Sequence, residues 1–418
     1  MGLPVPPRVI TRISPLVATQ ARRRMAVVVA TALLFSVFTV SGEVILPLWV
    51  TRDLGLAPSQ WAQLRSLRMT GVLVGVILLG ALSDRFGQRL VGALSMLGVA
   101  AVLVALGLGW GMSIWVAMPF YGALVSTAFV NLNTLTQQVS DRRQGLANSI
   151  YRSVGAAAGI GAPVLATRLA LVWHGYPPVF LALAGVLVVA AVVLLRYPGE
   201  PTPPPLGNLR AEVRRLWEGY RAALRERELV RVICYSQTWG NVLAGVGIFA
   251  AIRFTRELGL TDQQFGLLSG TAGAVTLLAS VSLGLFLDRV SLRKLHFGVA
   301  LVASACSVLM GLGNSVLLGA LGFVLSGPLC AMLSGPVSMW VSRAAGKSSQ
   351  TAAFTVHKVL SGLYLALTSA LLGLLETWIG MRAIFLYGGL AGVVASFLFL
   401  ALREPPPPGL GARLSVSE

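Results

Sequence analysis

The chain has 418 residues, 56% of them hydrophobic and 11% charged, with a mean hydropathy of +0.78. Soluble domains carry about 25% charged residues, so the bulk of this chain is expected in lipid. A formal charge of +18 does not mark a nucleic-acid binder, because the basic residues fall in short segments between apolar runs and form no aromatic-interleaved domain.

A membrane-crossing helix needs about 20 mostly apolar residues. In chain order, the runs that meet this are 26–50, 61–82, 88–109, 112–138, 146–172, 178–196, 230–252, 264–287, 294–314, 316–341, 349–374 and 380–402. The first follows Arg22, Arg23 and Arg24 as a signal peptide would, but it is longer than an h-region and no Ala-x-Ala-like site closes it. It reads as an uncleaved helix. Cys234, Cys306 and Cys330 all lie within apolar runs, which argues against a disulfide framework or a metal site.

Most connections are short, so neighbouring helices run antiparallel. The long one, 197–229, opens Tyr197-Pro198-Gly199-Glu200-Pro201 and then carries Leu209, Val213, Leu216, Tyr220 and Leu224 among arginines. This pattern predicts an interfacial helix on an anionic leaflet. With the N-terminus in the cytoplasm, the external loops hold only Arg52, Arg253, Arg256 and Arg382. The asymmetry puts both termini inside. The expected organisation is a cytoplasmic tail 1–25, a six-helix bundle 26–196, the linker 197–229, a second bundle 230–402 and a cytoplasmic tail 403–418.

An internal repeat supports two equivalent halves. Thr51-Arg52-Asp53-Leu54-Gly55-Leu56 aligns with Thr255-Arg256-Glu257-Leu258-Gly259-Leu260 at an offset of 204. The same register pairs Gln60 with Gln264, Leu64 with Leu268, Gly80 with Gly284 and Asp84-Arg85 with Asp288-Arg289. Halves repeated in this way are parallel copies about an axis along the membrane normal.

Gly80-Ala81-Leu82-Ser83-Asp84-Arg85-Phe86-Gly87-Gln88-Arg89, between the second and third runs, resembles the loop signature of the major facilitator superfamily. Gly155, Gly159, Gly161 and Pro163 in the fifth run resemble the antiporter signature of its drug-exporting members, with Ala162 interrupting the final Gly-Pro. Small residues at this spacing also simply let helices approach closely. Read from the residues, Arg85 and Arg89 have Asp141 on the same side as a partner, and the counterpart of Asp141 in the second half is Arg343. The resemblance implies that Asp84 latches the halves near Ser348 and Ser349, with Asp288-Arg289 as a weaker echo. It implies an all-α membrane protein of twelve transmembrane helices in two pseudo-symmetric bundles.

An ionisable group inside the bilayer costs roughly 2.5–3.5 kcal/mol on insertion scales, so it faces protein or water. Glu43 is the acid that lies well inside a span, about 10 Å from the outer end of the first helix at 1.5 Å per residue. Arg65 and Arg68 share that depth, which predicts an ion pair. The repeat counterparts are Gly247, Ser269 and Ala272, all uncharged, so the fold does not require these charges. Glu43 reads either as a proton-coupling or substrate residue, or as half of a structural pair. Arg152 and Lys358 correspond across the repeat and either line the cavity or snorkel to the interface. Asn131, Asn133, Tyr151, Gln237 and Asn241, with Tyr235 and Trp239, are further lining candidates.

The sequence contains no G-x-x-x-x-G-K-[ST] loop, so ATP does not drive it directly. The histidines form no catalytic or metal constellation, and neither an enzyme nor a cofactor is expected. The expectation is a monomeric secondary transporter of a bacterial-type inner membrane, moving a small organic solute by proton-coupled export. The alternatives are organic-anion uptake by proton symport through Arg152 and Lys358, and a receptor or scaffold that does not transport.

Overall fold

The computed structural model describes residues 15–109, 113–138, 144–198, 226–286, 291–345 and 350–402, with isolated positions between 214 and 225. The described chain is helical throughout. Its elements are α1 (Pro15–Arg52), α2 (Pro58–Phe86), α3 (Gln88–Gly107), α4 (Ile114–Gln138), α5 (Gln144–Val172) and α6 (Pro177–Leu195). They continue with α7 (Arg227–Val242), α8 (Ala244–Ile252), a π-helical turn (Arg253–Glu257), α9 (Asp262–Phe286), α10 (Leu292–Leu312), α11 (Val316–Ala345) and α12 (Gln350–Ser396). Among the described residues, eight helices are long and apolar enough to cross a membrane.

The apolar runs locate these helices but not their ends. α1 begins at Pro15, so Arg22, Arg23 and Arg24 are helical. Helical hydrogen bonding continues beyond the lipid-buried part of a sequence, and long basic side chains tolerate the boundary. The run 230–252 is divided at Leu243 into α7 and α8. The gap expected at 375–379 is helical, and the break falls instead at Gly380 (φ 75°, ψ 163°). Of the 197–229 segment, Arg214 pairs with Glu218 at 2.9 Å on an exposed surface.

The repeat recurs bond by bond. Leu56 N donates to Val50 O (3.1 Å) as Leu260 N does to Phe254 O (2.9 Å). Ala57 N donates to Gln60 Oε1 as Thr261 N does to Gln264 Oε1, each at 2.8 Å. Gly55 and Gly259 both take positive φ, 65° and 72°. One physical solution to the turn is therefore used twice. These turns mark one end of the helices, here called the Gly55 face; the α2–α3 turn at Gly87 marks the opposite face.

α1 packs on α5 and α6, α2 on α4, and α3 on α4 and α6; α10 packs on α11 and α12, α9 on α11, and α7 on α12. Two long seams join these sets, α2 against α12 and α5 against α9. The α5–α9 seam is very close: a Cβ on Gly273 would stand 2.5 Å from the backbone of Gly159. Large apolar side chains such as Leu317 and Val394 remain outward-facing, as a lipid-solvated exterior requires.

Two arginines of the external-loop set have structural work. Arg253 is buried and donates to Met310 O and Gly313 O, each at 3.1 Å, while pairing with Glu257. Arg382 donates to Gly311 O (3.0 Å) and Leu312 O (2.9 Å). Together they satisfy the orphan carbonyls at the C-terminus of α10, where cations also meet the negative end of the helix dipole.

Candidate functional site

Glu43 stands on α1 and faces α2. Its Oε1 accepts from Arg68 Nη1 at 2.6 Å and its Oε2 from Arg65 Nη1 at 3.0 Å. Each carboxylate oxygen thus has its own guanidinium, the strong charge-assisted form of hydrogen bond. The arginine side chains are 13% and 11% exposed, whereas Glu43 is 39% exposed. The acid therefore borders open space with the cations behind it. Arg68 also lies over the ring of buried Tyr121, 5.1 Å from its centroid. The Nε atoms of both arginines are buried without a hydrogen-bond partner.

Arg65 reaches further. The same Nη1 donates to the carbonyl of Gly247 on α8 at 2.9 Å. Nearby contacts also cross between the two sets of helices: Trp61 Nε1 donates to Ile248 O (2.9 Å), and Ser66 Oγ to Ala366 O (2.8 Å). At the Gly55 face Arg52 pairs with Asp262 at 2.8 Å, Tyr176 donates its hydroxyl to the same carboxylate at 2.5 Å, and Arg256 donates to Thr51 O. Burial first, then the Asp262 carboxylate, pushes the Tyr176 hydroxyl well above the usual phenol range. Burial, aided by Asp262, raises the carboxyl of Asp53, against a hydrogen bond from the Tyr176 backbone.

One turn before Glu43, Val40 lines a cavity of about 370 Å³ between α1, α5, α9 and α11. Its walls are mostly small, including Gly155, Gly159, Gly273 and Gly327, with hydroxyls from Ser269 and Thr276. Ser269 Oγ is buried with no hydrogen-bond partner. Ser269 and Ala272, both lining residues, are the repeat counterparts of Arg65 and Arg68. One seam carries the charges and the equivalent seam carries the space.

Of the remaining sequence candidates, Lys358, Tyr151 and Asn133 meet around Phe129 and the others are dispersed. Lys358 Nζ lies 5.3 Å from the centroid of Phe129, whose ring meets Tyr151 edge-on at 6.3 Å. Asn133 Nδ2 donates to Phe129 O (2.9 Å). Asn131 is 1% exposed, under Gly92 of α3, with Nδ2 unpartnered. Gln237 is half-buried on α7. At the opposite face Gly87 takes φ 91° at the end of α2, a conformation open to glycine. Arg85 is exposed over the ring of Phe86 (5.6 Å to its centroid). Arg89 donates to Tyr197 O (3.1 Å), and Arg24 to Pro198 O (3.0 Å), tying down the end of α6. Asp141, Asp288, Arg289, Ser348 and Ser349 lie outside the described residues, as do the side-chain surroundings of Gly80, Asp84, Arg152, Asn241 and Arg343. Among the described residues no group of three or more His, Cys, Asp or Glu is placed to hold a metal.

Sequence reasoning missed Tyr121, Phe129, Asp262 and Tyr176. The aromatics sit in or beside apolar runs with no periodic signal, and Asp262 reads as an ordinary loop charge until its partners are seen.

Comparison with known proteins agrees with this architecture. The "Multidrug resistance protein MdtG" of Serratia proteamaculans (strain 568) is 25% identical over 221 residues, 52% of this chain and 53% of that protein. The match thus spans about half the length of this curated relative. A POT family transporter solved with a thioalcohol-conjugated peptide superposes with a TM-score of 0.75 at 15% identity, over 90% of this chain and 95% of the other. The nucleoside transporter NupG gives a TM-score of 0.75 at 14% identity, over 91% of this chain and 100% of the other. The family description "Major Facilitator Superfamily" matches residues 27–255 and 238–416, and the chain belongs to that family of membrane transporters.

Proposed function

We propose that the chain is a proton-coupled secondary transporter of a small organic solute, in which two six-helix bundles, 26–196 and 230–402, rock about the Glu43 cluster. In this reading it is a monomer of twelve spans in a bacterial inner membrane, with both termini cytoplasmic, and the Gly55 face is external. Alternating access in such folds is largely rigid-body rocking about a site near the midplane. The carrying observation is that Glu43 borders open space, held by two arginines of which one also bonds Gly247 across the seam. A charge network that spans both halves is one whose partners change when the halves move.

Direction has two readings. The match to MdtG, over half of each chain, favours export by proton antiport. The excess of cation in the cluster, two guanidiniums for one carboxylate, favours uptake of an anion with a proton. In sealed vesicles containing the purified chain and a pH-sensitive dye, an imposed solute gradient is expected to move protons. Glu43→Gln should abolish that proton movement while leaving solute counterflow. Proton movement that persists in Glu43→Gln would end the assignment of Glu43.

A further inference from the structure

We infer that Arg65 and Arg68 form the binding site for a carboxylate group carried by the solute, and that Glu43 occupies that site as a built-in competitor when no solute is bound. This rests on the transporter reading above and selects its symport direction. The geometry is that of a two-oxygen clamp. One nitrogen from each arginine takes one oxygen of a single planar carboxylate, at 2.6 and 3.0 Å. The occupying acid is the exposed member of the cluster and the guanidiniums are the buried ones. Glu43 therefore stands between open space and the clamp.

The cavity sets the rest of the solute. Its lining is free of charge and rich in glycine, with Ser269 Oγ lacking a partner. A volume of about 370 Å³ falls at the small end of the range for ligand pockets, roughly 300–1,000 Å³. Val40 on its wall and Glu43 are three residues apart, so they share a face of α1 about 4.5 Å apart along the axis. The fitting solute is a compact monocarboxylate, its uncharged body against the glycines and its acid group on the clamp.

Competition for the clamp then ties the anion to a proton. With Glu43 ionised the cluster sums to one positive charge. A second carboxylate beside the first would be repelled by it. If Glu43 takes one proton from water, the solute carboxylate replaces it and the sum is unchanged. The titratable and charged groups facing Glu43 among the described residues are Arg65 and Arg68 of α2 and Tyr121 of α4, while α8 offers the Gly247 carbonyl. Glu43 is thus the acid in this set that can yield the clamp by taking a proton.

The test is ligand-dependent thermal stability and proton uptake of the purified full chain, with benzoate, benzamide and benzylamine as probes. Benzoate should stabilise it and the other two should not. Apparent affinity should tighten by up to about tenfold per unit fall in pH, the linkage for one proton per anion, with about one proton taken up per benzoate bound. In Glu43→Gln, benzoate should bind without proton uptake and without this pH dependence. Arg68→Gln should lose benzoate binding, and Arg68→Lys should recover part of it, which separates a lost site from a lost fold. Equal stabilisation by benzamide or benzylamine, no benzoate binding to the parent chain, or unchanged benzoate binding in Arg68→Gln would each overturn the clamp. Each of these leaves the transporter reading standing if solute gradients still move protons in vesicles; absence of any such movement sinks that reading instead.

Discussion

Arg65 bonds Glu43 and Gly247 through the same nitrogen, at 3.0 and 2.9 Å, and Gly247 is the residue that occupies the position of Glu43 in the other repeat. The guanidinium therefore sits between equivalent points of the two halves, with a carboxylate on one side and a bare backbone carbonyl on the other.

Placing an acid at the second point should jam the mechanism. Gly247→Asp gives Arg65 a carboxylate on α8, strengthening the contact that joins the halves in this conformation. About 1.4 kcal/mol of extra hold slows opening about tenfold, so flux should fall at least that far while thermal stability holds or rises. Gly247→Ala is the control, because its Cβ would meet Arg65 Nη2 at an ordinary 3.6 Å. Faster flux in Gly247→Asp would remove the Arg65–Gly247 contact from the closure of this face.

The contacts at the Gly55 face join the two sets of helices a second time. Asp262 takes both Arg52 and Tyr176, and both partners come from the first half. A partly exposed pair of this kind contributes up to about 1 kcal/mol, or about fivefold in the open population. In a Ser269→Cys background, Asp262→Asn should raise labelling by a membrane-impermeant thiol reagent added at this face by about that factor. Tyr176→Phe should give a smaller rise. Labelling unchanged in Asp262→Asn would show that the face is held by packing alone.

How far the sequence carried this picture differs by feature. The helices were legible because lipid demands apolar runs of a minimum length, and the turns at Gly55 and Gly259 because the same residues recur in register. The juxtaposition of Glu43 with Arg65 and Arg68 was legible from depth, since antiparallel neighbours at equal depth face each other. The break at Leu243 was not, because an apolar run is blind to a local change of backbone angle. Nor were Arg253 and Arg382 as caps for α10, since a charge in a loop reads as topology until the carbonyls it meets are placed. The cavity wall was half legible: glycine spacing showed close approach without saying which seam it served.

Asp53 offers a pH-dependent effect with a defined sign. Its carboxyl is raised above the usual 3.8, burial being the largest cause, so the folded chain binds this proton more tightly than the unfolded one. Stability from this group is therefore present below the folded value and declines as pH rises through the window above 3.8. Asp53→Asn should raise the unfolding temperature at neutral pH and have no effect well below that window. The gain is under about 1 kcal/mol for so exposed a side chain. A loss of stability at neutral pH would mean that the hydrogen bond from the Tyr176 backbone outweighs the burial cost.

Two glycines separate contacts that must move from contacts that must not. A Cβ on Gly75 of α2 would stand 2.6 Å from Ala123 of α4, inside one set of helices; a Cβ on Gly273 of α9 would stand 2.5 Å from Gly159 of α5, across a seam. Both alanines overpack, at a cost of about 1–3 kcal/mol, but the relief differs. The Gly75 contact lies inside one set of helices, which rocking leaves packed, so Gly75→Ala should lower the unfolding temperature and the yield of folded protein. At Gly273 the strain can be relieved by parting the seam, as rocking bundles do. Gly273→Ala should therefore fold nearly as well as the parent chain and raise thiol labelling of Ser269→Cys at the Gly55 face. Equal destabilisation by the two substitutions, without any change in labelling, would mean that the α5–α9 seam is a fixed packing surface and that the halves do not separate there.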